Sequence, residues 1–445
     1  MKLFVGFLIC IIIGAGFFLL IPGRTIVVQA PVTAAAEALE DGKVQEVEPV
    51  AAIPTPVASS ATAVATAGNV VGKNYGDIVN QPQLPNPPPI AKGIYLTGWS
   101  AGSNSRLTSL ISFVKRTEIN SVVIDIKDYS GYMSYAFDFP LAKEAGAFGD
   151  LRILRPNTVI KRLHDESIYV IARLTVFQDP ILAKAHPEWA LKNKATGEVW
   201  KDRSGLAWID PAAKPAWDYV AAIAKDAIAR GFDEINFDYI RFASDGDLSN
   251  IEYPFWDKKT ARHKIIKDFF EFLRAELGTA KISADLFGLT TVNPDDLGIG
   301  QVIEDAYANF DYVSPMVYPS HFAAGFLGYQ SPAKNPYEVI KYSMDRARDR
   351  LLMITVTETE TVGTSTVKKT ITRERTPEEA FRAKLRPWLQ DFDLGATYDA
   401  SMVKKQIQAT YDALGTSTPQ FAGWLLWNPV NVYTEAALER EQIEN

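Results

Sequence analysis

Short apolar runs alternate with helical patterns along the chain from Ala91 onward. Eight runs have the length and composition of buried strands: residues 93–99, 121–127, 169–175, 234–239, 281–286, 312–318, 385–390 and 423–427. Seven amphipathic helical patterns fall between them: residues 106–117, 156–166, 215–230, 257–277, 300–309, 336–350 and 401–414. Eight strands separated by helices predict an α/β fold, a (β/α)8 barrel of the TIM type, rather than an open doubly wound sheet.

The chain before residue 91 lacks this alternation. Residues 3–21 form an uncharged apolar run, and a membrane-spanning helix needs about 20 apolar residues. We therefore expect residues 1–30 to be a membrane anchor that leaves the rest of the chain outside the cytoplasm. A signal peptide cleaved near Ala30 is the alternative, which Pro31 disfavours. Residues 31–90 are rich in Ala, Val, Pro and Thr and predict a disordered linker before a domain at residues 91–440.

Two long insertions interrupt the regular alternation. Residues 176–211 follow strand three and contain Trp189, Trp200 and Trp208. Because loops after barrel strands lie on the catalytic face, we expect this segment to form part of a substrate cleft. Residues 354–375 alternate Thr, Val and Glu on both sides of Gly363. They predict a β-hairpin at the opposite end of the barrel, away from the chemistry.

Composition excludes several classes of protein. The net charge of the 445 residues is −7 and no basic stripe is present, so nucleic acid is not an expected partner. Cys10 is the only cysteine, and none of the four histidines is paired at i,i+4. A zinc hydrolase or metal-dependent deacetylase is therefore disfavoured, and we predict no metal and no cofactor.

The segment 231–242 carries the first catalytic candidate. Gly231 is suited to end the preceding helix, so the next residues predict strand four. Side chains alternate along a strand, which places Asn236 and Asp238 on one face. A carboxylate thus points inward at the carboxyl end of a barrel strand, where barrel enzymes place their chemistry. An N-cap or an ion pair with Arg241 is the structural alternative for Asp238.

The same alternation predicts which side chains converge at the top of the barrel. They are Thr97, Trp99, Asp125, Lys127, Arg173, Asn236, Asp238, Ser283, Asp285, Met316, Tyr318, Trp388, Gln390 and Trp427, with Asp128 directly after strand two. Burying so many polar groups in a closed core would cost free energy. These residues therefore predict an open site. Asp125, Asp238 and Asp285 are the catalytic candidates, because glycosidic hydrolysis needs a pair of carboxyl groups with separated pKa values.

We assign Asp238 as nucleophile and Asp285 as general acid, since strands four and five are neighbours. We expect their carboxyl groups to approach to about 5–6 Å, the retaining separation, with an inverting gap of about 6.5–9.5 Å as the alternative. Aromatic rings pack on the apolar faces of sugars. The substrate-binding candidates are Trp99, Lys127, Asp128, Arg173, Trp208, Asn236, Arg241, Tyr318, Trp388 and Trp427. Arg173 and Arg241 are expected to hold the carboxylate ionised, and Lys127 either pairs with Asp125 or contacts substrate.

Several motifs together resemble a bacterial family of glycoside hydrolase-like TIM-barrel domains of unknown function. They are the residues at 123–128 followed by Gly131 and Tyr132, and the segments 208–211, 237–242, 314–319 and 423–428. The resemblance covers about residues 91–433 and implies hydrolysis of a polysaccharide or oligosaccharide.

Strand four also resembles the signature of chitinase-type barrels, with two departures. Ile240 stands where those enzymes carry the glutamate acid, and Asn236 stands where they carry an aspartate. The resemblance therefore leaves the chitinase proton donor missing, and Asp285 is the best-placed replacement. The expected function is a membrane-tethered glycoside hydrolase acting on a cell-wall or exopolysaccharide glycan. The alternative is a carbohydrate-binding barrel without turnover.

Overall fold

A computed structural model describes residues 75–362 and 365–440. The predicted anchor or signal segment, residues 1–30, and residues 31–74 of the predicted linker lie outside this part of the chain. No helix among the described residues is long and apolar enough to cross a membrane.

Eight parallel strands form a closed barrel in chain order. They are β1 (Ala91–Leu96), β2 (Ser121–Lys127), β3 (Tyr169–Thr175), β4 (Glu234–Asp238), β5 (Ile282–Phe287), β6 (Tyr312–Met316), β7 (Trp388–Gln390, preceded by Lys384–Leu385) and β8 (Gly423–Trp427). Each strand pairs with its neighbours, and β8 pairs with β1 to close the sheet. The predicted barrel of eight parallel strands is confirmed.

Helices cover the outside of the barrel. They are α1 (Asn104–Val114), α2 (Pro156–His164), α3 (Lys214–Arg230), α4 (Arg262–Leu277), α5 (Ile303–Asn309), α6 (Pro336–Leu352) and α7 (Ala400–Leu414). Shorter helices Gly98–Gly102, Pro140–Ala145 and Pro180–Ala185 lie in the loops after β1, β2 and β3. The alternation of strand and helix therefore follows the predicted order, with element ends shifted by several residues.

Two strands differ from their predicted bounds for local reasons. The first ends at Leu96 because the Thr97 hydroxyl caps the helix Gly98–Gly102, accepting from the Ser100 N–H at 3.1 Å. Trp99 therefore stands on a helix and not on the strand. The seventh is divided at Pro387, which has no N–H for a ladder. The barrel still closes there, because Arg386 N donates to Val313 O and Leu425 N donates to Pro387 O.

Residues 75–90, the end of the predicted linker, are bound to the barrel. The Asp77 carboxylate accepts from the backbone N–H groups of Asn157 and Thr158, both at 2.9 Å, at the start of α2. Leu84 N donates to Asp233 at 2.6 Å, and the Leu84 side chain packs against the barrel interior. The backbone of this segment is thus held by hydrogen bonds, so the ordered domain begins before β1.

The two insertions take up secondary structure of their own. In the loop after β3, Lys192–Asn193 pairs with Ile251–Glu252 from the loop after β4. The two loops thus form one layer over this side of the barrel. Between α6 and β7, Met353–Val362 pairs antiparallel with Ser365–Glu374, where the sequence predicts a hairpin.

The lower half of the barrel interior contains a buried ion pair that the sequence did not suggest. Arg386 bonds Glu234, and both side chains are fully buried. Ser283 donates to the Glu234 carboxylate at 2.6 Å, and Tyr169 donates to it at 3.2 Å. This network fills the bottom of the barrel and leaves the upper half for the site.

Candidate active site

Arg173 lies at the centre of the upper half of the barrel. Its Nη1 is 2.5 Å from Asp125 Oδ1, its Nη2 is 2.5 Å from Asp238 Oδ2, and its Nε is 3.9 Å from Asp285 Oδ2. The three carboxylates come from β2, β4 and β5, so inward positions on four adjacent strands meet at one guanidinium. The fork of donors on arginine makes such sharing possible. The structure therefore brings the three predicted catalytic carboxylates together.

Asp285 is the most buried of the three carboxylates, with an exposed fraction of 1%. Its Oδ1 accepts from Asn236 Nδ2 and from Trp388 Nε1, both at 2.8 Å. Burial, and then the negative charge of Asp238, raises the pKa of Asp285 to about 8. Both effects disfavour the charged form, so both favour a protonated Asp285.

Asp125 has a different set of partners. Tyr95 Oη donates to its Oδ2 at 2.5 Å, while Oδ1 faces Arg173. Burial raises the pKa of Asp125 to about 6, against the opposing charge of Arg173. Asp125 is thus tied on both oxygens and helps to fix the orientation of Arg173.

Asp238 ends β4 at a strained turn. The next residue, Tyr239, has a φ of 54°, a left-handed conformation that costs energy for a residue with a side chain and often marks a functional site. Tyr239 N donates to Asp238 Oδ1 at 2.6 Å, which leaves Oδ2 on Arg173. The strand therefore ends with the carboxylate held in one orientation beside Asp285.

The two carboxyl groups of the proposed pair contact the same guanidinium from neighbouring strands. Glycosidases place their two carboxyl groups within about 10 Å of each other, and a shared guanidinium satisfies that requirement. Burial favours the protonated form of Asp285, while Asp238 pairs with Arg173. The arrangement therefore places a candidate proton donor and an arginine-paired carboxyl group in the same site.

Comparison with known proteins identifies the domain. A model of the family described as "Putative glycosyl hydrolase domain" matches residues 93–433. The chain belongs to this family. The resemblance seen in the sequence motifs is thereby confirmed, and it supports a glycosidase over the other classes considered. No curated protein matches the chain.

Three solved structures are similar to this glycosyl hydrolase domain. A hypothetical protein from Ruminiclostridium thermocellum ATCC 27405 is 39% identical, with 46% of this chain and 98% of that chain covered and a TM-score of 0.40. The PgaB (BpsB) glycoside hydrolase domain from Bordetella bronchiseptica is 15% identical, covering 76% and 94%, with a TM-score of 0.49. Flavobacterium johnsoniae chitobiase is 9% identical, covering 80% and 49%, with a TM-score of 0.45.

Two predicted substrate contacts of the glycosyl hydrolase domain have protein partners instead. Lys127 is fully buried, and its Nζ lies 2.9 Å from Asp179 and 2.6 Å from Thr175 O. A register shift in β2 between Asp125 and Lys127 turns it toward the loop after β3. The alternative of a pair between Lys127 and Asp125 is therefore wrong. Asp128 bonds Arg152, so it too is engaged within the protein.

The predicted aromatic platforms of the domain fall into two groups. Trp208 and Trp388 are fully buried, and their indole N–H groups donate to Asp202 and Asp285. Tyr318 retains 6% exposure. Trp427 is half-buried and stacks on Tyr95 at a centroid distance of 3.9 Å. Rings without an exposed face pack within the protein and cannot stack on a sugar in this conformation.

Trp99 is the exposed member of the set, with 58% of its surface accessible. The guanidinium of Arg152 lies 5.5 Å from its ring centroid, a cation–π distance that orients the indole. Arg152 is itself held by Asp128 and Asp150. The loops after β1 and β2 therefore present one fixed aromatic face to solvent.

Tyr95 is a member of the site that the sequence interpretation missed. It lies on β1 two residues before Thr97, on the same inward row, so strand alternation alone was enough to find it. The prediction placed β1 too late and started the row at Thr97. Within the described residues, no group of three or more His, Cys, Asp or Glu side chains has a geometry suited to a metal ion.

Proposed function

We propose that this domain is a glycoside hydrolase in which Asp285 is the general acid and Asp238 the nucleophile. The observation that carries this proposal is that Asp238 and the buried Asp285 lie against one guanidinium, that of Arg173, from neighbouring strands. Burial and the charge of Asp238 raise the pKa of Asp285 to about 8, as a general acid requires. Carboxyl groups whose surroundings separate their pKa values are the general pattern of glycosidase acid and nucleophile pairs. Asn236 and Trp388 position the acid, and Arg173 positions the nucleophile.

In the proposed reaction, Asp285 gives its proton to the glycosidic oxygen as the bond from that oxygen to the anomeric carbon breaks. Asp238 forms a bond to the anomeric carbon on the opposite face. Water then forms a bond to the anomeric carbon as the bond to Asp238 breaks, and the water gives its proton to Asp285, which restores both carboxyl groups. The product anomer, followed by NMR, reports the mechanism: retention supports a covalent role for Asp238, and inversion assigns Asp238 to activating water.

We infer that the substrate is a cell-envelope or exopolysaccharide glycan met outside the cytoplasm. The support is the uncharged run at residues 3–21 and the Pro-rich segment after it, which suit a tether. A fusion of residues 1–90 to alkaline phosphatase, which is active outside the cytoplasm, tests this. Loss of phosphatase activity when charged residues replace part of the run is expected. Equal activity with and without residues 3–21 contradicts the proposal.

A screen of glycan hydrolysis tests the catalytic pair. Wild type, Asp238→Asn and Asp285→Asn are compared with Asp305→Asn as a matched control. Asp305 is an aspartate whose pKa is also raised by burial, but its partner is His263 on α4. We expect both site variants to lose about 10²–10⁴-fold in rate and Asp305→Asn to retain wild-type activity.

A carbohydrate-binding barrel without turnover is the second candidate function. Two observations favour it: Ile240 replaces the acid of chitinase-type strands, and Asp285 is almost entirely enclosed. A general acid must reach the glycosidic oxygen, so hydrolysis requires the mouth to open when glycan binds. Calorimetric binding of a glycan that wild type leaves uncleaved at any pH would establish this second function.

A further inference from the structure

Arg241 is a buried cation that makes no ion pair within the described part of the chain. Its exposed fraction is 7%, and among the described residues no carboxylate lies within ion-pair distance of it. Burial lowers its pKa from the ordinary arginine value, although the guanidinium stays charged. The expected pairing of Arg241 with the Asp238 carboxylate is therefore wrong, because Asp238 is bonded to Arg173 instead. A buried cation of this kind is costly unless something compensates it.

Aromatic rings supply part of that compensation. The guanidinium carbon lies 4.8 Å from the ring centroid of Trp208, 5.3 Å from that of Tyr239 and 4.6 Å from that of Phe287. These rings come from the loop after β3, the end of β4 and the end of β5. Phe287 is two residues beyond Asp285 on the same strand, so it lies one layer above the proposed acid. The ring cage thus holds Arg241 at the mouth of the site.

One edge of the guanidinium remains without a hydrogen-bond partner. Nη1 donates to Phe242 O at 3.1 Å and to Ser244 Oγ at 2.9 Å, which uses both of its hydrogens. The Nε and Nη2 donors have no such partner within the part of the chain that the structure describes. Together they form the side-on edge of the fork, the geometry that binds a carboxylate through two parallel hydrogen bonds.

The neighbouring acidic residues do not occupy this edge. Asp238 is bonded to Arg173, and Asp202 accepts from Trp208, Gln178 and the Leu206 backbone. Asp245 accepts from the backbone of Arg203. Each carboxylate near Arg241 is thus engaged elsewhere, which leaves an unused pair of donors for a planar anion beside the catalytic pair.

We propose that Arg241 binds the carboxylate of a uronic acid residue next to the cleaved bond, so that the substrate is an acidic polysaccharide. This inference rests on the proposed function, which supplies the bond to be cleaved. Arg241 is then a specificity-determining residue. The aromatic cage fixes the direction of the fork, and Asp285 lies beneath Phe287 on the same strand.

The test compares each acidic glycan with its own carboxyl-reduced form, which keeps the linkages and removes the charge. Hyaluronan, gellan and polygalacturonate are suitable probes. We expect wild type to favour the acidic form of its substrate by roughly 10- to 100-fold in kcat/KM, the size of a hydrogen-bonded charge. Arg241→Gln should remove this preference, because it should lower kcat/KM for the acidic form far more than for the reduced form. Arg241→Lys should retain part of it.

Arg262→Gln is the matched control, because Arg262 also lies over aromatic rings, those of Phe242 and Trp256. Its replacement removes a caged guanidinium away from the catalytic pair, and the acid preference should persist. The inference is overturned if Arg241→Gln keeps the preference for the acidic form, or if wild type cleaves acidic and reduced glycans equally. In both cases hydrolysis itself still supports the proposed function.

A binding measurement separates the two claims. Asp285→Asn protein is titrated by calorimetry with oligosaccharides from the same acidic glycans and their reduced forms. Tighter binding of the acidic form that disappears in Asp285→Asn/Arg241→Gln supports the inference about Arg241. This holds even if wild type hydrolyses none of these glycans. A lack of hydrolysis would contradict the proposed function but not the binding of acidic glycans. Equal binding of both forms in a folded protein overturns the inference.

Discussion

Trp388 donates its indole N–H to Asp285 at 2.8 Å, so a ring that the sequence suggested as a sugar platform instead holds the proposed acid. The bond joins β7 to β5 across the top of the barrel. A donor to a carboxyl oxygen favours the ionised form, and in this site it opposes the burial that raises the pKa of Asp285. Trp388 therefore lowers the pKa of Asp285 and does not form a stacking platform for a sugar.

Replacing Trp388 with phenylalanine should raise the pKa of Asp285 further. The ring is retained but its donor is lost, and a bond to a charged group is worth about 1.5–3 kcal/mol, or roughly one pKa unit or more. The alkaline limb of kcat/KM should therefore move upward by about one unit, with less than a tenfold change in kcat. An unmoved limb contradicts this role for Trp388.

Arg173 is the cation on which three buried carboxylates depend. Arg173→Met leaves them without a countercharge, and breaking a buried ion pair costs about 3–5 kcal/mol. Because protonation relieves the repulsion, the loss should be large at pH 8 and smaller at pH 5. Urea unfolding at both pH values measures it, with Arg173→Lys as the charge-preserving control. Equal loss at both pH values would mean that packing, and not charge, is responsible.

The Glu234–Arg386 pair is predicted to stabilise the fold without taking part in catalysis. Glu234→Gln leaves the fully buried guanidinium of Arg386 without an ion-pair partner. The free energy of unfolding should therefore fall by about 3–5 kcal/mol. Adding Arg386→Gln should recover part of that loss. The exposed pair of Lys161 and Asp165 provides the control, and Asp165→Asn should cost less than about 1 kcal/mol. A lower kcat in the folded fraction of Glu234→Gln would contradict the prediction that this pair takes no part in catalysis.

Trp99 is expected to contact substrate through its exposed face. Trp99→Ala should raise KM for long oligosaccharides roughly 5- to 20-fold, which corresponds to about 1–1.8 kcal/mol, and leave kcat unchanged. Ile78→Ala removes an exposed apolar side chain, 39%, from residues 75–90 before β1 and should change neither constant. A fall in kcat with constant KM would place Trp99 in the chemical step instead.

Strand alternation carried most of the correct prediction. It placed Asp125, Arg173, Asn236, Asp238 and Asp285 on the inward rows, because in a closed parallel barrel the face of each residue follows from its parity alone. The motifs that indicated the family lie at the ends of these strands, so they were also visible in the sequence. Fold and the members of the carboxylate cluster were therefore accessible from sequence.

The sequence did not show which side chains bind to one another. Lys127 and Trp208 depend on loops whose paths are set by tertiary contacts, and the register shift in β2 redirected Lys127 to Asp179. Arg386 shares the row of Trp388 and Gln390 in the predicted strand, but strand alternation does not show that its partner is Glu234. Residues 75–90 have a linker-like composition, yet their backbone donors find acceptors on the barrel. In each case a distant contact outweighed the local pattern.

The pH dependence of kcat/KM, measured in wild type and Asp285→Asn on one cleaved glycan, tests the central claim most directly. A general acid must be protonated, so wild-type activity should be retained below a pKa of about 8 and fall tenfold per pH unit above it. Asp285→Asn should show a rate reduced by about 10²–10⁴-fold and no limb near pH 8. A limb that persists in Asp285→Asn, or wild-type activity in that variant, contradicts the assignment of Asp285 as the acid.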